Sequence, residues 1–157
     1  MESYSAKVFQ EHGLNYNFVQ DNHSFSATKG TLRGIHFQKG DSAQAKLVRC
    51  SKGAVIDVAV DLRKNSSTYG KYYGVILSSE NKKMFMIPRG FAHGFLVLSD
   101  FATFTYKCDE FYHPEDEGGL MYNDEDVNIA WPKIDKEITL SEKDKKHPKL
   151  KDLKVEF

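Results

Sequence analysis

Between Thr31 and Tyr112 the chain breaks into short alternating segments separated by turn residues, and this pattern constrains its fold more than anything else. The clearest segment runs from Gly53 to Leu62. Ile56, Val58, Val60 and Leu62 fall on one face; Val55, Asp57, Ala59 and Asp61 fall on the other. Further strands are predicted over 72–77, 84–87, 95–98 and 101–108. Lys39-Gly40-Asp41, Lys64-Asn65-Ser66-Ser67, Glu80-Asn81-Lys82 and Ser99-Asp100 supply the turns between them. Many short strands at such spacing fold as a sandwich or barrel. Helix is expected only at the periphery. A weak helical pattern over 3–12 stops at Gly13, and a charged turn over 141–146 has Ser141 as its cap. No repeat, low-complexity run or linker divides the 157 residues, so one domain over 1–157 is expected.

Charge narrows the function. Lys plus Arg and Asp plus Glu both number 22, so the chain has no net charge and no global attraction for nucleic acid. Any anion must be caught locally. No apolar run approaches a membrane span, and Met1-Glu2-Ser3-Tyr4-Ser5 does not open a signal peptide. Cys50 and Cys108 then read as reduced thiols of a cytoplasmic protein.

Two histidines stand out. His36 lies in Leu32-Arg33-Gly34-Ile35-His36-Phe37-Gln38, and His93 lies in Pro88-Arg89-Gly90-Phe91-Ala92-His93-Gly94-Phe95. Each sits in an apolar, glycine-flanked segment with an arginine shortly before it. Burying imidazole is costly unless it is hydrogen-bonded. Two such residues suggest a site that binds an anion and moves protons. The second segment resembles the second histidine motif of cupin barrels. The first cupin motif needs two histidines and a glutamate, but here it reads His36-Phe37-Gln38, which is a poor metal site. No Gly-x-Ser-x-Gly elbow is present, and neither cysteine has a patterned histidine neighbour. General acid–base chemistry beside a carbonyl fits better. His36 can be the base, Lys46 the stabiliser of a developing enolate, and Tyr106 an acid on the opposite face. Spacing alone favours Tyr106 as a plain core residue and Lys46 as a solvated one.

The ordered motifs resemble one family closely, the dTDP-4-dehydrorhamnose 3,5-epimerases. They run from Val19-Gln20-Asp21-Asn22-His23-Ser24 through the two histidine segments, Ala45-Lys46-Leu47-Val48-Arg49 and Asp57-Val58-Ala59-Val60-Asp61-Leu62-Arg63. They continue through Tyr106-Lys107-Cys108, Tyr122-Asn123-Asp124 and Ile129-Ala130-Trp131-Pro132 to Leu140-Ser141-Glu142-Lys143-Asp144. The resemblance implies an all-β, cupin-type jelly-roll sandwich with short peripheral helices, a homodimer, and no cofactor or catalytic metal. It implies a dTDP-linked 4-keto-6-deoxy sugar as substrate, epimerised at carbons 3 and 5. By the same resemblance His36 is the base, Asp144 its carboxylate partner and Tyr106 the acid. Lys46 and His93 surround the keto oxygen. Gln20, Asn22, Arg33, Tyr112 and Lys143 contact sugar and diphosphate, for which arginine's forked donors are suited. Single-carbon epimerases, a non-catalytic sugar-nucleotide binder and a metal-dependent oxygenase remain as alternatives. Two departures are visible. Family members carry a further strand ahead of the segment matching Met1, one that crosses to the partner subunit and helps hold the nucleotide. Phe37 stands where tyrosine is common.

Overall fold

A computed structural model describes residues 1–157. After a short helix, α1 (Ala6–Glu11), come nine strands: β1 (Gln20–Ser26), β2 (Leu32–Gln38), β3 (Lys46–Lys52), β4 (Ala54–Asp61), β5 (Tyr72–Ser78), β6 (Met84–Ile87), β7 (Phe91–Val97), β8 (Ala102–Cys108) and β9 (Glu117–Gly119). They form two antiparallel sheets, one ordered β1-β8-β3-β6 and the other β5-β4-β7-β2-β9. This is the two-sheet sandwich that the alternation predicts. No helix is long and apolar enough to cross a membrane.

Strand β4 explains why the five-stranded sheet is the core element. Its Val55 and Ala59 face the other sheet and pack with Val48, Cys50, Phe95, Val97 and Phe104. Its Val58 and Val60 point the other way, into a second apolar cluster with Ile35, Phe37, Leu120, Val127 and Val155. The chain after β9 therefore roofs the outer face of this sheet. Fully burying a valine or leucine side chain is worth about 1.5–3 kcal/mol.

Three expectations shift on contact with the structure. Strand β7 runs Phe91–Val97, starting four residues before the predicted 95–98, so it takes in His93. The segment over 141–146 forms a single 3₁₀ turn at Asp144–Lys146. Its N-cap position is Lys143 and not Ser141, though the Ser141 Oγ accepts the Asp144 N–H at 3.1 Å. The N-terminal helix keeps its stop at Gly13 (φ 78°) but spans only Ala6–Glu11, capped by Ser5.

Candidate active site

The space between the sheets is apolar at one end and polar at the other. The polar end begins where β2 and β7 come unusually close. Gly34 has φ 115°, and a Cβ there would lie 2.7 Å from the Gly94 Cα and the His93 carbonyl oxygen. Only paired glycines allow that approach. It sets His36 opposite His93 on adjacent strands, both facing the cleft. A cavity of about 520 Å³ opens above them.

Each histidine has its own carboxylate. His36 Nε2 lies 2.6 Å from Asp144 Oδ1, while Oδ2 of the same residue accepts the Gly34 N–H at 3.2 Å. Burial alone would raise the Asp144 carboxyl. Hydrogen bonds from His147 and His36, the His36 charge and the Gly34 amide overcome that and hold it well below the usual carboxylate range. A carboxylate fixed on Nε2 sets the ring's orientation and leaves Nδ1 for chemistry. His93 is deeper. Its Nε2 lies 2.9 and 3.0 Å from the two oxygens of Asp57, which is fully buried. Burial pushes the Asp57 carboxyl up, with His93 and Lys46 pulling against it.

The opposite wall comes from the four-stranded sheet. Asn22, Tyr106 and Val48 form one cross-strand row; Gln20, Cys108 and Lys46 form the next. Lys46 therefore points inward, with Nζ 5.9 Å from the centre of the Tyr106 ring. The solvated reading of Lys46 is wrong because this end of β3 faces the cleft. Burial lowers the ammonium's proton affinity, opposed by Cys108, Asp57 and Glu117. Tyr106 is half-buried and lines the same cavity. Burial, then Cys108, pushes its phenol up, so it stays protonated and able to donate. Cys108 is a strand thiol raised to about 11, chiefly by burial, and it accepts a weak bond from Asn22 Nδ2 at 3.6 Å.

The rim is a connected polar chain. Gln20 Nε2 donates to Asn22 Oδ1 at 3.1 Å, and Gln20 Oε1 accepts the Tyr112 N–H at 3.1 Å. The Tyr112 hydroxyl donates to Glu117 Oε2 at 2.6 Å, and Lys143 pairs with the same oxygen. That bond raises the Tyr112 phenol to about 12. Burial raises the Glu117 carboxyl, but Lys143 and Tyr112 outweigh it and draw it down. Arg33 is anchored by Ser26 Oγ at 3.1 Å and the Phe25 carbonyl at 3.0 Å.

All ten residues singled out from the sequence line this cavity or the lobe of about 340 Å³ beside it, which share His36, Lys46, Tyr106 and Glu117. Four others were not singled out. Asp57 holds His93, Glu117 joins Tyr112 to Lys143, and His147 is a second partner of Asp144. Ser24 lines the cavity with a buried Oγ that has no partner. His36, Asp144 and His147 bring three donor atoms within 4.8 Å of one another, enough in number for a metal. Both imidazoles direct Nε2 at one carboxylate oxygen, at 2.6 and 3.1 Å, which is hydrogen-bond geometry.

A β-sandwich that sets carboxylate-backed histidines on one wall against a lysine and a protonated tyrosine on the other defines a class: an acid–base enzyme acting beside a carbonyl. Comparison with known proteins narrows it. A family model described as dTDP-4-dehydrorhamnose 3,5-epimerase matches residues 1–152, and the chain belongs to that family. The dTDP-4-dehydrorhamnose 3,5-epimerase of Escherichia coli K12 is 55% identical over 147 residues, covering 92% of this chain and 78% of the relative. The crystal structure of the Elizabethkingia anophelis enzyme is similar at a TM-score of 0.91 and 57% identity, covering 96% of this chain and 82% of that one. The dTDP-6-deoxy-D-glucose-3,5-epimerase of Legionella pneumophila, solved in complex with dTDP-4-keto-L-rhamnose, has a TM-score of 0.93 and 49% identity, covering 98% of this chain and 80% of that one.

Proposed function

We propose that this chain converts dTDP-4-dehydro-6-deoxy-D-glucose to dTDP-4-dehydro-L-rhamnose by inverting carbons 3 and 5. Both carbons flank the 4-keto group, so each proton is acidified by enolate formation. His36 removes the proton through Nδ1, with Asp144 fixing the ring and stabilising its cation. Lys46 and His93 face the keto oxygen, where negative charge develops. Tyr106 returns a proton from the other wall. Arg33 and Lys143 meet the diphosphate; Gln20, Asn22 and Tyr112 line the neighbouring lobe and contact the rest of the substrate.

One observation carries the reading. Base and acid stand on different sheets with the cavity between them, as inversion of a carbon requires. Family membership and the ligand of the Legionella relative support the substrate. The chain acts as one domain, in the cytoplasm, and as a homodimer, because open sheet edges need cover. Sedimentation tests the dimer.

The activity test is deuterium uptake from solvent into a dTDP-linked 4-keto-6-deoxyglucose, with a GDP-linked substrate in parallel. Deuterium is expected at carbons 3 and 5 of the dTDP compound. Uptake at one carbon would reduce the reading to a single epimerisation, and no uptake would overturn it.

A further inference from the structure

We propose that His147 is a positioning residue of this site, sharing Asp144 with His36 and loosening the base's hold on its proton. The proposal rests on His36 being the base. His147 Nε2 lies 3.1 Å from Asp144 Oδ1, the same oxygen that His36 Nε2 reaches at 2.6 Å. The two rings meet edge to face, with centroids 5.4 Å apart. The side chains of His147 and Asp144 are 9% and 5% exposed, so water contributes little to their contact, while His36 opens to the cavity.

The fold makes room for the second ring. Gly119 pairs with His36 across β2 and β9. A Cβ at Gly119 would collide with the His147 imidazole. The strand beside the base therefore lacks a side chain where His147 sits. The segment is anchored without the ring: the Met121 N–H donates to the Pro148 carbonyl at 2.9 Å, and the Lys145 N–H to Ser141 at 3.2 Å.

One carboxylate balances one imidazolium. Two imidazoles on a single oxygen titrate as a coupled pair. A neutral His147 donates to Oδ1 and weakens the charge that a protonated His36 leans on. A charged His147 repels the second proton outright. Both effects have one sign, so His36 is freed of its proton at lower pH than Asp144 alone would permit. The base then works further into acid.

Other charges face the trio. Arg33 lies on β2, Glu117 on β9, and Lys143 beside the 3₁₀ turn; His93 stands on the same wall, on β7, with Asp57 behind it, and Lys46 and Tyr106 lie across the cavity. Lys39, Lys146 and Lys154 flank His147 on its outer side. All are the same in wild type and variants, so a difference between them isolates His147.

The test compares wild type, His147→Ala and His147→Gln. Glutamine can place its amide nitrogen near the position of Nε2 but cannot titrate. The His36 ring is followed by nitrogen–proton NMR against pH without substrate, and deuterium exchange into the keto sugar is followed over the same range. Activity needs unprotonated His36, so a tighter hold moves the acid limb to higher pH. His147→Ala should raise both the His36 midpoint and the acid limb by roughly one pH unit. His147→Gln should recover most of that shift. In wild type His36 should respond to two protonation steps, and in His147→Gln to one. An unmoved or lowered midpoint in His147→Ala would overturn the proposal. If that variant does not fold, a single wild-type step that is unchanged in His147→Gln would do the same. NMR needs no turnover, so a shifted midpoint in a protein without exchange would uphold the coupling while sinking the epimerase reading.

Discussion

Replacing Tyr106 with phenylalanine separates two halves of the proposed reaction. The change keeps the ring, its packing 6.0 Å from Phe104 and its place beneath Lys46. It removes only the hydroxyl, which lines the cavity. A tyrosine serving only the core would normally bond its hydroxyl to a protein partner. None is found within the chain, so Tyr106→Phe should cost less than about 1 kcal/mol of stability. The catalytic cost should be far larger. General acid catalysis is worth about 10²–10⁴-fold, or roughly 3–5 kcal/mol of barrier.

That loss should fall on inversion alone. His36, Asp144, Lys46 and His93 remain, so protons still leave, and His36 can return a deuteron to the face it came from. A single reaction in deuterium oxide, followed by proton NMR, reads both processes. The variant should wash deuterium into carbons 3 and 5 while forming little epimer. An inversion-to-exchange ratio equal to that of wild type would refute Tyr106 as the acid.

His36→Ala should abolish exchange with the fold intact by circular dichroism; wild-type exchange in that variant would remove His36 as the base. Asp144→Asn keeps the imidazole but loses the charge on its Nε2, so exchange should fall about a hundredfold or more yet stay measurable. Asp61 is buried and accepts bonds from Arg63, Ser66 and Thr68 at 2.6–2.9 Å. Burial would raise its carboxyl, but these partners hold it well below the usual range. The stability it supplies is present above the unfolded value near 4 and is lost as pH falls. Asp61→Asn should therefore be less stable at pH 7, with a flatter loss between about pH 5 and 2 in urea melts; an unchanged slope would contradict this.

The sequence made the fold legible where apolar alternation was strong. Strand β4 was plain because both its faces are apolar and both are buried. Strand β1 was not read as a strand. Its inward row is Gln20, Asn22, Ser24 and Ser26, which is polar because the first three line the cavity and Ser26 anchors Arg33. Strand β9 is only Glu117–Gly119, too short to show a period. Much of the site was legible only through the family's ordered motifs. Asp144 lies 108 residues from His36 and reads locally as one charge among Ser141–Lys146. Asp57 looked like half of an alternation, since nothing local reveals that the face it shares with Ala59 meets His93. His147, next to Pro148 in a lysine-rich tail, gave no signal at all. Its meaning comes from Gly119, which only the folded chain places beside it.

The charge arrangement at the cavity floor bears on where the proposed reaction gains its rate. Lys46 carries a charge that burial penalises, and Asp57, which offsets that charge without bonding to it, is already bonded to His93. No carboxylate is bonded to Lys46. The ground-state ketone brings no charge to relieve that penalty. In the proposed reaction the enolate does, at the oxygen assigned to Lys46 and His93. Stabilisation is then greater in the charged intermediate than in the bound substrate, which is the condition for raising a rate and not merely tightening binding. Asp57 serves this by orienting His93 from behind, without itself lining the cavity. A carboxylate bonded directly to Lys46 would cancel the effect, and the buried pairing of Asp57 with His93 keeps the lysine available.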